Sequence, residues 1–134
     1  MAFDIEQYSS DFDLNNVNKD TRIPSGSVLG DTIFNIGMTF HFVNHPDKIL
    51  GIALMTEDCE PHDDYLTVVC NSEKTLLLCF GYMFKLIQPD FVYEFNGSGF
   101  DWPNIYAKSR LLGVQDQMLK HMSIKNIIDR ELQP

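Results

Sequence analysis

The chain has 134 residues, 44% of them hydrophobic, and a formal net charge of -9 at pH 7. That length suits one domain with a single core and leaves no room for a second. The acidic balance excludes a surface that holds nucleic acid by neutralising many phosphates, which needs clustered Lys and Arg. Any such contact must be local, metal-mediated, or made by parts of a larger protein.

The three cysteines, Cys59, Cys70 and Cys79, are odd in number and lack Cys-x-x-Cys spacing, which indicates neither a disulfide framework nor a zinc site. Reduced thiols in an intracellular protein are the expectation. No charged start with an apolar signal core opens the chain, and no apolar run approaches the roughly 20 residues that span a bilayer. The sequence reads as soluble, with no membrane partner.

In chain order, Ala2-Phe3-Asp4-Ile5-Glu6 comes first. If extended, it points Phe3 and Ile5 into a core and sets Asp4 and Glu6 on the opposite face. At about 3.3 Å of rise per residue their Cα atoms are about 6.6 Å apart, and both carboxylates can reach one divalent cation. The same spacing also fits an edge strand with a solvated acidic face. From Gln7 to about Leu29 the chain is rich in Asp, Asn, Ser and Gly without periodicity, a long loop that is either mobile or docked against substrate or the rest of a bigger chain.

From Ile33 to Val43 the residues Phe34, Ile36, Met38, Phe40 and Phe42 alternate with Asn35, Gly37, Thr39 and His41, which predicts a half-buried strand. Asn44 to Lys48 has turn chemistry, and Ile49 to Met55 should return antiparallel. The polar loop 57–64 holds Cys59 and His62, but no further ligand stands at a recognisable spacing. Leu66 to Cys70 makes a short strand; Ser72 then caps a helix with Glu73 in its first turn, where the dipole favours an anion. Leu76, Phe80, Met83 and Ile87 line one helical face as core, and Pro89 stops the helix. Phe91 to Phe95 reads as a compact strand of a β-α-β crossover.

Gly97-Ser98-Gly99 allows a sharp turn and lacks the spacing of a nucleotide phosphate loop. Asp101 and Pro103 open the next helix, and Gly113 stops it after Lys108 and Arg110, which puts a third carboxylate at a helix N-terminus. Gln115 to Pro134 is a further helical stretch with Met118, Leu119, Met122, Ile127, Ile128 and Leu132 as apolar members. Trp102 is expected to pack behind its helix, and His41 and His45 to be strand and turn residues. The fold class is α/β, a mixed sheet with flanking helices compatible with a ribonuclease-H-like domain.

Ala2-Phe3-Asp4-Ile5-Glu6-Gln7-Tyr8-Ser9 resembles the first exonuclease motif of family B DNA polymerases, in which Asp-Ile-Glu-Thr is often followed by Tyr-Ser. Pro89-Asp90-Phe91-Val92 and then Phe95-Asn96-Gly97-Ser98-Gly99-Phe100-Asp101-Trp102-Pro103 resembles the second. Cys70-Asn71-Ser72-Glu73-Lys74 is similar to the segment between them in polymerases of large DNA viruses of the African swine fever virus type. The resemblance implies a partial 3′–5′ exonuclease domain in which Asp4, Glu6 and Asp101 bind Mg²⁺ (or Mn²⁺) and catalyse, while Asn96 and Phe100 lie near the 3′ end of a single DNA strand. It also implies the remainder of a polymerase chain as a partner, if this chain is a cut or shortened piece.

Two residues depart from the family pattern: Gln7 replaces the usual Thr, and Glu94 stands where a small residue is common. The family's third motif, Tyr-x-x-x-Asp, is matched nowhere in the sequence, and His121 and Asp129 do not have its spacing. The expectation is therefore a weak enzyme in isolation, with a catalytically silent ribonuclease-H-like module for structure or protein binding as the alternative.

Overall fold

The computed structural model describes residues 1–10 and 22–123. The strands are β1 (Ala2–Tyr8), β2 (Thr32–Phe42), β3 (His45–Met55) and β4 (Tyr65–Val69), followed by the helices α1 (Glu73–Ile87), α2 (Asp101–Leu111) and α3 (Gln115–Met122). They form one four-stranded sheet in the order β1-β2-β3-β4, antiparallel except for the β3–β4 pair, so the sheet is mixed as the sequence predicts. Among the described residues no helix is long and apolar enough to cross a membrane.

The face of β2 differs from the expected alternation. Glu6 pairs with Asn35 but Gln7 pairs with Ile33, so Phe34 is bulged out of the ladder. An extra residue in one strand reverses which side the following side chains occupy. Ile33 consequently joins Ile36, Met38 and Phe40 in the core, while Phe34 leaves it and lies beside Tyr8, ring centroids 6.0 Å apart. A second irregularity between His41 and Phe42 leaves Phe42 exposed.

The turn after β2 is shorter than Asn44 to Lys48: Phe42 pairs directly with His45, and Val43-Asn44 alone reverse the chain. Pro46 therefore lies inside β3. Because β4 pairs only with Gly51–Met55, that end of β3 has an open edge where a missing N–H is tolerated.

Helix α1 starts as expected, with Ser72 Oγ accepting the Thr75 N–H at 3.1 Å, and ends at Gln88, whose φ is 51° and whose N–H reaches Phe84 O at 2.9 Å. Leu76, Leu77 and Phe80 are fully buried against the sheet, and Met83 and Ile87 lie at the margin of the core. Burial of each such side chain contributes about 1.5–3 kcal/mol. Gly113, with φ 69°, closes α2 where the sequence places its stop. The C-terminal helical expectation is met over α3; Ile127, Ile128, Asp129 and Leu132 lie outside the described residues, as do residues 11–21 of the first loop.

Phe91 to Phe95 is not a strand. Tyr93 makes a single parallel bridge to Ala2, its N–H donates to Met1 O at 2.8 Å, and the terminal amine donates to Phe91 O at 2.9 Å. Phe91, Tyr93 and Phe95 are exposed, so no side-chain burial supports a longer ladder, and Asn96 at φ 57° turns the chain away. Of the expected crossover only that bridge is present: the chain leaves α1 and passes Ala2 parallel to β1 without forming a strand.

Candidate active site

Phe3 and Ile5, 5% and 4% exposed, anchor β1 from below, and the alternation of the strand turns Asp4 and Glu6 outward. The turn into α2 is held by Asn96, whose carbonyl accepts the N–H groups of Gly99 and Phe100 at 2.9 and 3.0 Å. Phe100 precedes the helix and is half-buried against the core. Trp102 packs edge-on to Phe3 with centroids 4.9 Å apart, as its expected place behind the helix requires, and this contact presses the start of α2 onto β1.

Asp101 is thereby carried to the edge of β1, only 2% exposed, and its Oδ1 accepts the Ile5 N–H at 3.3 Å. Burial raises its pKa above the ordinary 3.8; the Ile5 N–H opposes that rise and the neighbouring Asp4 carboxyl reinforces it. The structure thus brings Asp4 and Asp101 together. Glu6 shares the outward face of Asp4, but among the described residues no group of three His, Cys, Asp or Glu side chains is close enough to hold a metal ion. Asn96 is exposed and contributes a backbone carbonyl to the turn.

Two carboxyls that face each other, with no Lys or Arg among the groups that shift Asp101, form an all-oxygen donor pair suited to a hard divalent cation. Glu6 is the third oxygen donor on that face. The chemistry of Asp4 and Asp101 suits a divalent ion, while Glu6 does not complete a group of three with them in this arrangement. A cleft of about 540 Å³ opens beside Asp4 and is also lined by Gly37, Tyr65 and Glu94. The Glu94 side chain folds over Gly97, so the charge that departs from the family pattern stands at the edge of this site.

Sequence reasoning missed a buried polar network behind the acids. The Asp31 carboxylate, fully buried, accepts from Ser10 N–H at 2.9 Å, Ser25 N–H at 2.7 Å and the Arg22 guanidinium at 2.7 Å. The guanidinium above all holds the Asp31 carboxyl well below the usual range, against the opposing effect of burial. Lys108, equally buried in α2, donates to Val28 O at 2.7 Å and to Asp31 O, and lies 3.9 Å from Glu73 Oε1. Glu73 itself accepts the Ile33 N–H at 2.7 Å, and burial raises its pKa. Asn104 Oδ1 takes the Gly26 N–H at 2.5 Å. These bonds strap residues 22–31 to the helix that carries Asp101. No motif announces them, because the partners of Lys108 are 77 and 80 residues away in sequence.

A mixed sheet whose first strand sets an acid against another at the start of a later helix defines a ribonuclease-H-like α/β domain. Residues 1–129 match the family described as DNA polymerase family B, exonuclease domain, and the chain belongs to that family. Exonuclease domains of this family generally use divalent metals. Proteins named DNA polymerase beta from two African swine fever virus isolates, one from a pig in Portugal and one from a warthog in Namibia, are each 32% identical over 124 residues. The match covers 92% of this chain and 9% and 10% of theirs. The DNA polymerase catalytic subunit of Psittacid herpesvirus 1 is 41% identical over 59 residues, 44% of this chain and 5% of that protein. The chain thus spans about a tenth of the length of the African swine fever virus relatives.

Proposed function

We propose that this chain forms the part of a family B DNA polymerase that removes the 3′-terminal nucleotide from a single DNA strand, a 3′–5′ exonuclease of the proofreading kind, with the remainder of a polymerase as its partner. Asp4, Glu6 and Asp101 are the metal-binding and catalytic carboxylates in this reading. The observation that carries it is the facing of Asp4 and Asp101 across the β1–α2 junction, which joins the two motif-like stretches of the sequence.

Divalent cations, Mg²⁺ or Mn²⁺, held by these three residues would supply the charge that activates water and stabilises the attacking and leaving oxygens. The Ile5 N–H keeps the Asp101 carboxyl at the β1 edge beside Asp4. Glu6 is exposed and free to rotate toward the pair when a cation offers the incentive. Asn96 and Phe100, in the turn before Asp101, steady the strand end. No Tyr-x-x-x-Asp occurs in the 134 residues, so water positioning is incomplete within this chain. Its isolated activity should be several powers of ten below a complete site.

The test is release of mononucleotides from a labelled single strand in Mg²⁺ or Mn²⁺. Slow, metal-dependent release that Asp4→Ala abolishes is expected; release indifferent to Asp4→Ala sinks the assignment. Robust release that Asp4→Ala abolishes would keep the site and discard its incompleteness. A second reading, a silent structural module, draws on the absence, among the described residues, of a group of three acids placed to hold a metal ion. It prevails if divalent cations leave the melting temperature unchanged while Asp4→Asn raises it.

A further inference from the structure

Cys70 and Cys79 take no part in the acid site, yet the fold brings their side chains together. Cys70 closes the β3–β4 ladder, its N–H donating to Met55 O at 2.7 Å. Side chains alternate along a strand, so Cys70 shares the helix-covered side of the sheet with Val68, which packs against the same core. Asn71, at φ 59°, turns the chain directly into Ser72, the cap of α1. With Leu76, Leu77 and Phe80 buried, the helix doubles back over the sheet after this short turn. Cys79 stands about two turns beyond the cap and packs against the cluster that contains Cys70. Its thiol is within hydrogen-bonding reach of the Cys70 sulfur.

The two thiols are placed for different parts. Cys70 is 4% exposed and donates to Val68 O at 3.7 Å, and burial, reinforced by Cys79 beside it, pushes its thiol up to about 12. It stays protonated in neutral water and does not attack a reagent first. Cys79 is partly exposed, so a small oxidant meets it before Cys70. Cys59 is exposed in the 57–64 loop and serves as an internal control for unselective oxidation.

We propose that Cys70 and Cys79 form a reversible dithiol–disulfide pair, a modification site for low-molecular-weight disulfides such as glutathione disulfide, and that oxidation clasps β4 to α1. The Cys79 thiolate attacks one sulfur of glutathione disulfide, which leaves glutathione bonded to Cys79 and expels one glutathione thiolate. Cys70 then gives up its proton as its sulfur attacks Cys79; the bond from Cys79 to glutathione breaks, and the second thiolate departs. Each thiolate takes one of the two protons that the cysteines released. The two cysteines thus lose two electrons, and the oxidant becomes two glutathione thiols. The ring so closed runs from Cys70 to Cys79 and encloses Ser72 and Glu73, the cap and first turn of α1. Among the described strands β4 pairs with β3 alone, so a tie to the helix secures the outer strand of the sheet. The pair lies apart from Asp4 and Asp101 and acts whether or not the chain is an exonuclease.

The experiment equilibrates the full chain with glutathione and glutathione disulfide at a series of ratios and quenches it in acid. The remaining thiols are then blocked with N-ethylmaleimide under denaturing conditions and mapped by mass spectrometry. Trypsin cleavage after Lys74 separates Cys70 from Cys79, so the bond shows as two peptides held together until dithiothreitol frees them. The oxidised chain should melt about 5–10 °C higher, a gain that dithiothreitol reverses. Cys59→Ser should keep both the bond and the gain, while Cys79→Ser should remove both and leave Cys70 unmodified. Glutathione on Cys59 or Cys79 with Cys70 still open to maleimide, or joined peptides that form only in urea, overturns the pairing. A bond that leaves the melting temperature unchanged, or lowers it, overturns the clasp.

Discussion

Replacing Lys108 by Met removes a buried charge and keeps most of the side-chain volume. The ammonium donates to Val28 O at 2.7 Å and to Asp31 O, and is 3.9 Å from the Glu73 carboxylate, with none of the side chain exposed. Hydrogen bonds to a charged group are each worth about 1.5–3 kcal/mol. The Asp31 carbonyl would stay buried without this donor, and Glu73 would lose its counter-charge. Removing one partner of such a buried pair typically costs about 3–5 kcal/mol. Against a total stability of about 5–15 kcal/mol, that is a large share. In urea, with a slope of about 2 kcal/mol/M, the midpoint should fall by about 2 M. Adding Glu73→Gln, whose amide oxygen still accepts the Ile33 N–H, should recover about 1–2 kcal/mol by removing the stranded carboxylate. A Lys108→Met stability within about 0.5 kcal/mol of wild type would refute the view that the strap holds α2.

Asp31→Asn tests the same network by pH. A carboxyl whose folded pKa is lowered adds stability above its ordinary 3.8, and that stability is lost as the pH falls below it toward the lowered folded value. Asp31→Asn should therefore cost about 3 kcal/mol at pH 7, and thermal melts should show the gap narrowing below pH 3.8; a gap that ignores pH contradicts the ion-pair account. Gly81→Ala puts a methyl carbon 2.7 Å from Met118 O, so α3 must shift away from α1. The overpacking cost of about 1–3 kcal/mol should exceed the helix-propensity gain of about 1 kcal/mol, and a raised melting temperature would count against that close approach. The Gln7 carboxamide is buried with neither polar atom bonded among the described residues. Gln7→Met should stabilise the fold by about 1 kcal/mol in urea melts, and destabilisation would reveal a partner for the amide.

The sequence placed the acids on their elements better than it placed the faces of the sheet. Alternation alone separates Asp4 and Glu6 from Phe3 and Ile5, and Pro103 with Gly113 brackets the helix that Asp101 begins; both features are local, so spacing records them. The Phe34 bulge is not recorded, because Ile33 and Phe34 are both apolar and either could fill the core position. Phe91 to Phe95 has strand composition, but pairing needs a neighbour, and β1 supplies one only at Ala2. Lys108 reads as an ordinary cation at the end of a helix, whereas its actual role depends on carbonyls brought there by the fold. That the three acids do not form one metal-holding group was equally invisible, since a shared strand face does not fix where each carboxylate is aimed.

Trp102 is the chain's single tryptophan, and it follows Asp101 directly while leaning on Phe3, the residue before Asp4. Its indole therefore lies on the core side of the junction between β1 and α2, behind the two acids. Intrinsic emission is a label-free optical gauge of that junction, and a cation bound as proposed would announce itself at one wavelength without any substrate at all.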